Sequence, residues 1–330
     1  MRAVHRRRAL AALATLAIPA AIAQPRTRQV QRVRRLTIFF FGTPANARTR
    51  REAFVKGMQA LGYVEGTNVR YDWRYGNGQP DLIQSIAREL HRAVPDVIVA
   101  FSTICANVLK DEGVASPVVM VAVDDPLRAG FVHDMSRPGM NFTGMTTNVI
   151  AQAPRLVDLL HELVPKAGLI GMLASPPSST YRLFRSRVEE QAARRGLQVT
   201  ALDAATPQDI ERVLAAVPPE VRGLVVTNDA TYYNERRRLA EIAIEKKLPA
   251  IYPRFGHVDV GGLMSYGPNE EYIATRATSF VARIFDGDSP ADMPIEGPTR
   301  YELGLNRKAA AAIDLTIPAS LIKKADRVIA

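Results

Sequence analysis

From residue 36 onward, compact β-rich apolar runs alternate with segments whose apolar residues recur every three or four positions, and the alternation runs through the chain twice. Residues 36–41 form an apolar run ended by Gly42-Thr43-Pro44, the pattern of a buried strand followed by a turn. Phe54, Met58 and Leu61 follow at helical spacing, with Gly62 placed to stop the helix. Residues 68–75 return to strand character, Ile83, Ile86, Ala87 and Leu90 share one helical face, and 97–101, 103–112 and 118–123 continue as strand, helix and strand. After Gly144 the series restarts with a stripe of Leu156, Leu159, Leu160 and Leu163, a strand at 169–173 and a helix ending over 188–195. An extended run at 198–202, a helix opened by Thr206-Pro207-Gln208-Asp209, a strand at 223–227, a helix to 247 and a strand at 250–252 complete it. Consecutive strands joined by helices lie parallel, because the crossover returns the chain to the same end of the sheet. The reading is an α/β fold with two doubly wound parallel-sheet lobes.

The remaining segments, strand-like at 263–266, helical at 272–285, strand-like at 301–305 and helical at 309–313, extend neither series simply. A chain that must finish both lobes passes between them several times here, which makes a multi-crossover hinge. The expected lobes are 36–147 with about 268–298, and 148–267 with about 299–330. With 47% hydrophobic residues, lobes of this size bury enough apolar surface to be held by their cores alone. A single cysteine, Cys105, excludes an internal disulfide.

The first 23 residues have the order of an export signal: Arg6, Arg7 and Arg8, an apolar run from 9 to 23, and a close on Ala21-Ile22-Ala23. A run of fifteen residues falls short of the roughly 20 that span a bilayer, so the segment is expected to be cleaved. Arg7-Arg8-Ala9-Leu10 also permits a twin-arginine signal, leaving Sec and Tat export both open. No cysteine follows to take a lipid anchor, so the expected compartment is the periplasm. Of the 43 basic groups, nine lie in residues 1–35, which hold no acid, leaving 34 against 33 acids beyond. The folded body is thus nearly neutral, which argues against nucleic acid as a partner; residues 24–35 read as a basic disordered leader. Beyond Ala23 no integral membrane segment is expected.

In parallel sheets, ligands gather at the carboxyl ends of strands, where helix N-termini offer free N–H groups. Those ends fall at 43–46, 102–105, 124–126, 175–180 and 228–231, and most of them are polar. Turn chemistry alone accounts for any one of them, but five at the rims of two facing sheets point to a ligand cleft. Catalytic patterns are missing: no Gly-x-Ser-x-Gly, no Gly-x-x-x-x-Gly-Lys and no Gly-x-Gly-x-x-Gly. His161-Glu162 begins like a zinc helix, but Pro165 stands where its second histidine would be, and His5, His91, His133 and His257 have no partner at metal spacing. Cys105 reads as a small hydrophobe behind a strand. No metal, no cofactor and no enzymatic activity are expected.

Several segments together resemble the substrate-binding proteins of ABC transporters in the family typified by tryptophan and tyrosine importers. They are Ala60-Leu61-Gly62-Tyr63-Val64-Glu65-Gly66, Asp125-Pro126 with Ala129-Gly130, and Arg137-Pro138-Gly139 with Asn141 and Thr143-Gly144. To these add Leu248-Pro249-Ala250-Ile251-Tyr252, Gly261-Gly262-Leu263-Met264-Ser265-Tyr266-Gly267-Pro268-Asn269, and the tail from Ile317-Pro318 to Ala325-Asp326. The resemblance implies a type I periplasmic binding fold with three crossovers, and a small-molecule solute, such as an amino acid, held between closing lobes. It implies delivery to an ABC permease of the inner membrane by a monomer. Where the family commonly reads Gly-Thr-Pro-Ala after the third strand, this chain has Ser102-Thr103-Ile104-Cys105, and its usual Asn-Pro is Ser175-Pro176. The expected ligand-binding set is Thr43, Ser102, Thr103, Asp125, Ser175, Ser178, Asn228, Asp229, Phe255 and Tyr266. In that set Thr103 takes an anionic group, Asp125 a cationic one, Asn228 and Asp229 add polar contacts, and Phe255 and Tyr266 pack an apolar part. A receptor feeding a sensor and a periplasmic enzyme on the same architecture are the alternatives. A ligand-responsive transcription regulator would need a DNA-binding module where the export signal stands.

Overall fold

The computed structural model describes residues 32–330; the expected export signal and most of the expected leader lie outside the described residues. The first series folds as β1 (Arg34–Phe40), α1 (Pro44–Ala60), β2 (Val69–Tyr75), α2 (Pro80–Ala93), β3 (Val97–Phe101), α3 (Thr103–Asp111), β4 (Val118–Val123) and β5 (Phe142–Thr146). Its five strands pair all in parallel in the order β2-β1-β3-β4-β5. Strands β3 and β4 carry VIVAF and VVMVAV and are buried from end to end, as a sheet with helices on both faces requires.

The second series is α4 (Val149–Leu163), β6 (Leu169–Ala174), α5 (Tyr181–Arg194), β7 (Gln198–Asp203), α6 (Pro207–Ala215), β8 (Val221–Val226), α7 (Ala230–Asn234), α8 (Arg236–Glu245) and β9 (Ala250–Tyr252). The helix expected to run unbroken to 247 divides at Glu235, which ends α7 and starts α8. After α9 (Phe255–Val258) come β10 (Met264–Pro268), α10 (Glu270–Phe285), β11 (Tyr301–Asn306), α11 (Arg307–Ala312), α12 (Ala319–Lys324) and β12 (Arg327–Ile329). The second sheet has seven strands in the order β12-β11-β10-β9-β8-β6-β7. Its one antiparallel pair is β10 with β11, Met264 facing Leu305 and Pro268 facing Tyr301.

The chain passes between the lobes after β5, between β10 and α10, and again before β11. Helix α10 makes the middle excursion: Ile273, Ala274, Ala277, Phe280 and Val281 belong to the same core as Phe40, Phe54 and Phe101 of the first lobe. The second lobe packs its stripe of Leu156, Leu159, Leu160 and Leu163 against Ile170, Met172 and Leu305. At Gly144 the backbone of β5 has φ +126°, and a Cβ there would stand 2.2 Å from the Met120 carbonyl oxygen of β4. Only glycine allows this approach. Among the described residues no helix is long and apolar enough to cross a membrane.

Candidate functional site

Two sheets with their strands pointing at the same gap bring helix N-termini and strand-end loops together there. A cavity of about 250 Å³ occupies the gap. The first lobe contributes Ser102, Thr103, Ile104, Asn107, Ala122 and Asp124. The second contributes the 175–179 loop, Ala205, residues 228–231 and Arg254. Six of the expected residues meet here: Ser102, Thr103, Ser175, Ser178, Asn228 and Asp229.

The start of α3 is built for an anion. Ser102 Oγ accepts the Cys105 N–H at 3.3 Å and the Ser102 carbonyl accepts the Ala106 N–H at 3.1 Å. Those bonds leave the first-turn N–H groups of Thr103 and Ile104 for a ligand. Thr103 Oγ1 accepts the Asp124 N–H at 3.2 Å, so its own O–H stays available as a donor. Ser102 holds this turn at φ 138°, ψ 161°, a conformation close to glycine-only. Cys105 sits behind the turn, fully buried, and burial pushes its thiol up to about 12. It is inert at neutral pH.

The deepest polar group is Asp124. Its Oδ1 accepts from Thr147 Oγ1 at 3.0 Å and from Asn228 Nδ2 at 2.5 Å, the second bond crossing from one lobe to the other. Asn228 Oδ1 in turn accepts from Arg254 Nε at 2.7 Å. Arg254 lies 3.8 Å from Glu270 and over the Tyr233 ring at 5.1 Å. Glu270 Oε2 accepts from the Tyr233 hydroxyl at 3.0 Å. The chain Asp124–Asn228–Arg254–Glu270 ties the lobes through two buried hydrogen bonds and an ion pair, and Asn46 Nδ2 to Asn234 Oδ1 at 2.8 Å adds a second tie. This is a closed arrangement. Burial pushes the Asp124 carboxyl up to about 6, against the opposing pull of Asn228, Arg254 and Thr147. Burial also raises the Asp229 carboxyl, whose Oδ1 caps α7 by accepting the Thr231 N–H at 2.7 Å.

Four expected residues do not line the cavity. Thr43 caps α1, accepting the Asn46 N–H at 3.3 Å. Asp125 turns back on its own loop, where Oδ1 accepts the Arg128 N–H at 3.0 Å and Oδ2 lies 3.5 Å from the Arg128 guanidinium. Its neighbour Asp124 is the carboxylate facing the cavity, held there in the loop after β4 by Thr147 and Asn228. Phe255 passes under β11 into the space left by Gly304, with the Arg327 guanidinium 3.5 Å above its ring. Tyr266 stacks on Tyr301 of the antiparallel neighbour at 5.6 Å. Asp124 and Arg254, which the expected set lacks, carry the charge of the site. The rule that polar groups collect at strand ends, extended to β9, leads to residues 253–255 and so to Arg254.

Two α/β lobes that both line one polar cavity define a bilobal solute-binding protein. Residues 39–329 match the family described as ABC transporter substrate binding protein, and the chain belongs to it. Membership gives it a small-molecule solute and a membrane permease as partners, and a place of work outside the cytoplasm. The chain is similar to a tyrosine-binding protein of Clostridioides difficile (strain R20291), 24% identical over 265 residues that cover 80% of this chain and 76% of the relative. Its fold is similar to that of an ABC domain from Streptococcus pneumonia solved in complex with L-Trp, at TM-score 0.83 and 23% identity, covering 90% of this chain and 100% of the other. A conserved domain protein of Vibrio cholerae O1 biovar El Tor matches at TM-score 0.84 and 24% identity, with the same coverages.

Proposed function

We propose that the protein captures a zwitterionic amino acid in the periplasm, after export by the N-terminal signal, and delivers it as a monomer to an inner-membrane ABC permease. The observation that carries the ligand class is the coexistence of both signs of charge in one small cavity: the Asp124 carboxylate and the Arg254 guanidinium, beside the open N-terminus of α3. A zwitterion offers an ammonium to the carboxylate and a carboxylate to the positive end of α3. Its carboxylate fits the Thr103 and Ile104 N–H groups and the Thr103 hydroxyl. Its ammonium fits Asp124, whose Oδ2 is not hydrogen-bonded by any described residue. Ile104, Ala122, Pro177 and Ala205 are left for the side chain. The relatives named for tyrosine and solved with L-Trp support the amino-acid class. The halves that close on the solute are residues 36–147 with about 268–298, and 148–267 with about 299–330.

Thermal unfolding in the presence of the twenty amino acids and of their N-acetyl and carboxamide derivatives tests the reading. A ligand at 100 times its dissociation constant stabilises by about 2.7 kcal/mol, a rise of several degrees in Tm. One or a few free amino acids are expected to produce it, and their N-acetyl and amide forms are not. A rise of the same size with the blocked forms, or no rise with any free amino acid, overturns the zwitterion assignment.

A further inference from the structure

At the opposite end of the second sheet from the cleft, the loops that lead into β6, β8 and β9 enclose a groove of about 780 Å³. Its floor is Leu163, Val221, Leu248 and Ile313, all buried, flanked by the half-buried Val217 and Leu315. Pro165, Pro218, Pro219 and Pro249 stand in its walls, and their fixed φ makes the opening preformed. Every charged residue of its lining is basic: Lys166, Arg222, Lys246 and Lys247. Two of these have internal tasks, Lys246 donating to the Ala215 carbonyl at 3.0 Å and Lys247 pairing with Asp314 at 2.5 Å. Lys166 and Arg222 are exposed, and neither forms an ion pair with a described residue.

We infer that this groove is a second ligand site, for a single-chain amphipathic carboxylate. The volume lies within the roughly 300–1,000 Å³ typical of small-molecule sites. An apolar floor rewards a hydrocarbon chain, and an unpaired arginine and an unpaired lysine in the same lining suit a carboxylate head, the arginine in bidentate fashion. A neutral chain leaves the two cations unused, and a small hydrophilic anion leaves the floor bare, so the combination selects for both parts in one molecule.

Calorimetric titration of the full chain with dodecanoate, below its micelle-forming concentration, tests the site. One site per chain is expected, with decanoate at least several-fold weaker, since each fully buried methylene contributes about fourfold. Dodecanol is expected to bind at least tenfold more weakly. Lys166→Glu with Arg222→Glu, both at exposed positions, is expected to weaken dodecanoate at least tenfold while leaving the amino-acid thermal shift unchanged. The inference is overturned if dodecanol binds as well as dodecanoate, or if the double variant binds dodecanoate like the unsubstituted chain. Competition between dodecanoate and the amino acid, or attachment to phosphatidylglycerol vesicles without binding of the free carboxylate, overturns it as well.

Discussion

The two ends of the second sheet carry opposite chemistry, although the same strands and helices build both. At the carboxyl ends, hydroxyls, amides and carboxylates surround a small cavity, and the one cation, Arg254, is locked into hydrogen bonds. At the amino ends a larger apolar groove is edged by four cations, two of them unpaired. Part of the difference follows from topology. Parallel crossovers put helix N-termini at one end and helix C-termini at the other, so acids gather at the first and cations at the second. Lys246 and Lys247 follow the end of α8 and Lys166 the end of α4. What topology does not dictate is burial, and burial sets the energetic stakes at the two ends.

The largest expected effect separates the ends by a substitution of the same kind at each. Arg254→Ala leaves Asn228 and Glu270 without their buried partner and Asp124 without its nearby cation, and is expected to cost about 3–5 kcal/mol in urea unfolding, together with the amino-acid thermal shift. Lys166→Ala at the exposed rim is expected to change stability by no more than about 0.5 kcal/mol. Equal costs would mean that the cleft network is solvated and the contrast false.

A second test uses pH. Asp124, raised to about 6 from an ordinary 3.8, contributes stability that is fully present below pH 3.8 and lost as pH rises through 6. His257 lies buried against Tyr252, with its ring 4.8 Å from the tyrosine's, and burial lowers it to about 3 from 6.5. The unfolded chain takes up that proton near pH 6.5 and the folded chain does not, so this term removes stability as pH falls from 6.5 towards 3. Between pH 3.8 and 6 the two slopes oppose each other, each up to about 1.4 kcal/mol per pH unit. Asp124→Asn removes one of them. Its stability is expected to rise between pH 4.5 and 5.5 by about 1.4 kcal/mol more than that of the unsubstituted chain. Parallel pH profiles would show that Asp124 is not buried as the closed cleft requires.

The smallest effect concerns strain, which the cleft holds at Ser102. Ser102→Gly releases a backbone conformation that costs of order 1–3 kcal/mol, against a few tenths for the lost hydroxyl cap. A net gain of about 1 kcal/mol is expected, read as a higher urea midpoint at unchanged slope. A loss of stability would mean that the serine hydroxyl, rather than the turn geometry, holds the start of α3 in place.

Much of the cleft was legible before any coordinates, because a parallel sheet sends its polar loops to one predictable end. That rule points to Ser102, Thr103, Ser175, Ser178, Asn228 and Asp229, and all six line the cavity. It does not choose between Asp124 and Asp125, two identical side chains in the loop after β4, where the partners Thr147 and Asn228 for the first and Arg128 for the second decide. It fails again at β9, three residues long, whose end offers both Arg254 and Phe255. The room made by Gly304, on a strand some fifty positions later, draws Phe255 away. Tyr266 is likewise claimed by Tyr301 through the antiparallel pairing of β10 and β11, a contact with no local signature.

The sequence by itself determined the alternation of strands and helices, the two lobes and the loops that face each other. These depend on periodicity and turn chemistry, which act over a few residues. Only the tertiary structure decided which carboxylate enters the cavity, that an arginine is buried beside it, and that Asn228 joins the lobes. These outcomes depend on desolvation and hydrogen-bond geometry among residues far apart in the chain, 26 positions between Asn228 and Arg254 and 104 between Asp124 and Asn228, and no local pattern encodes such distances.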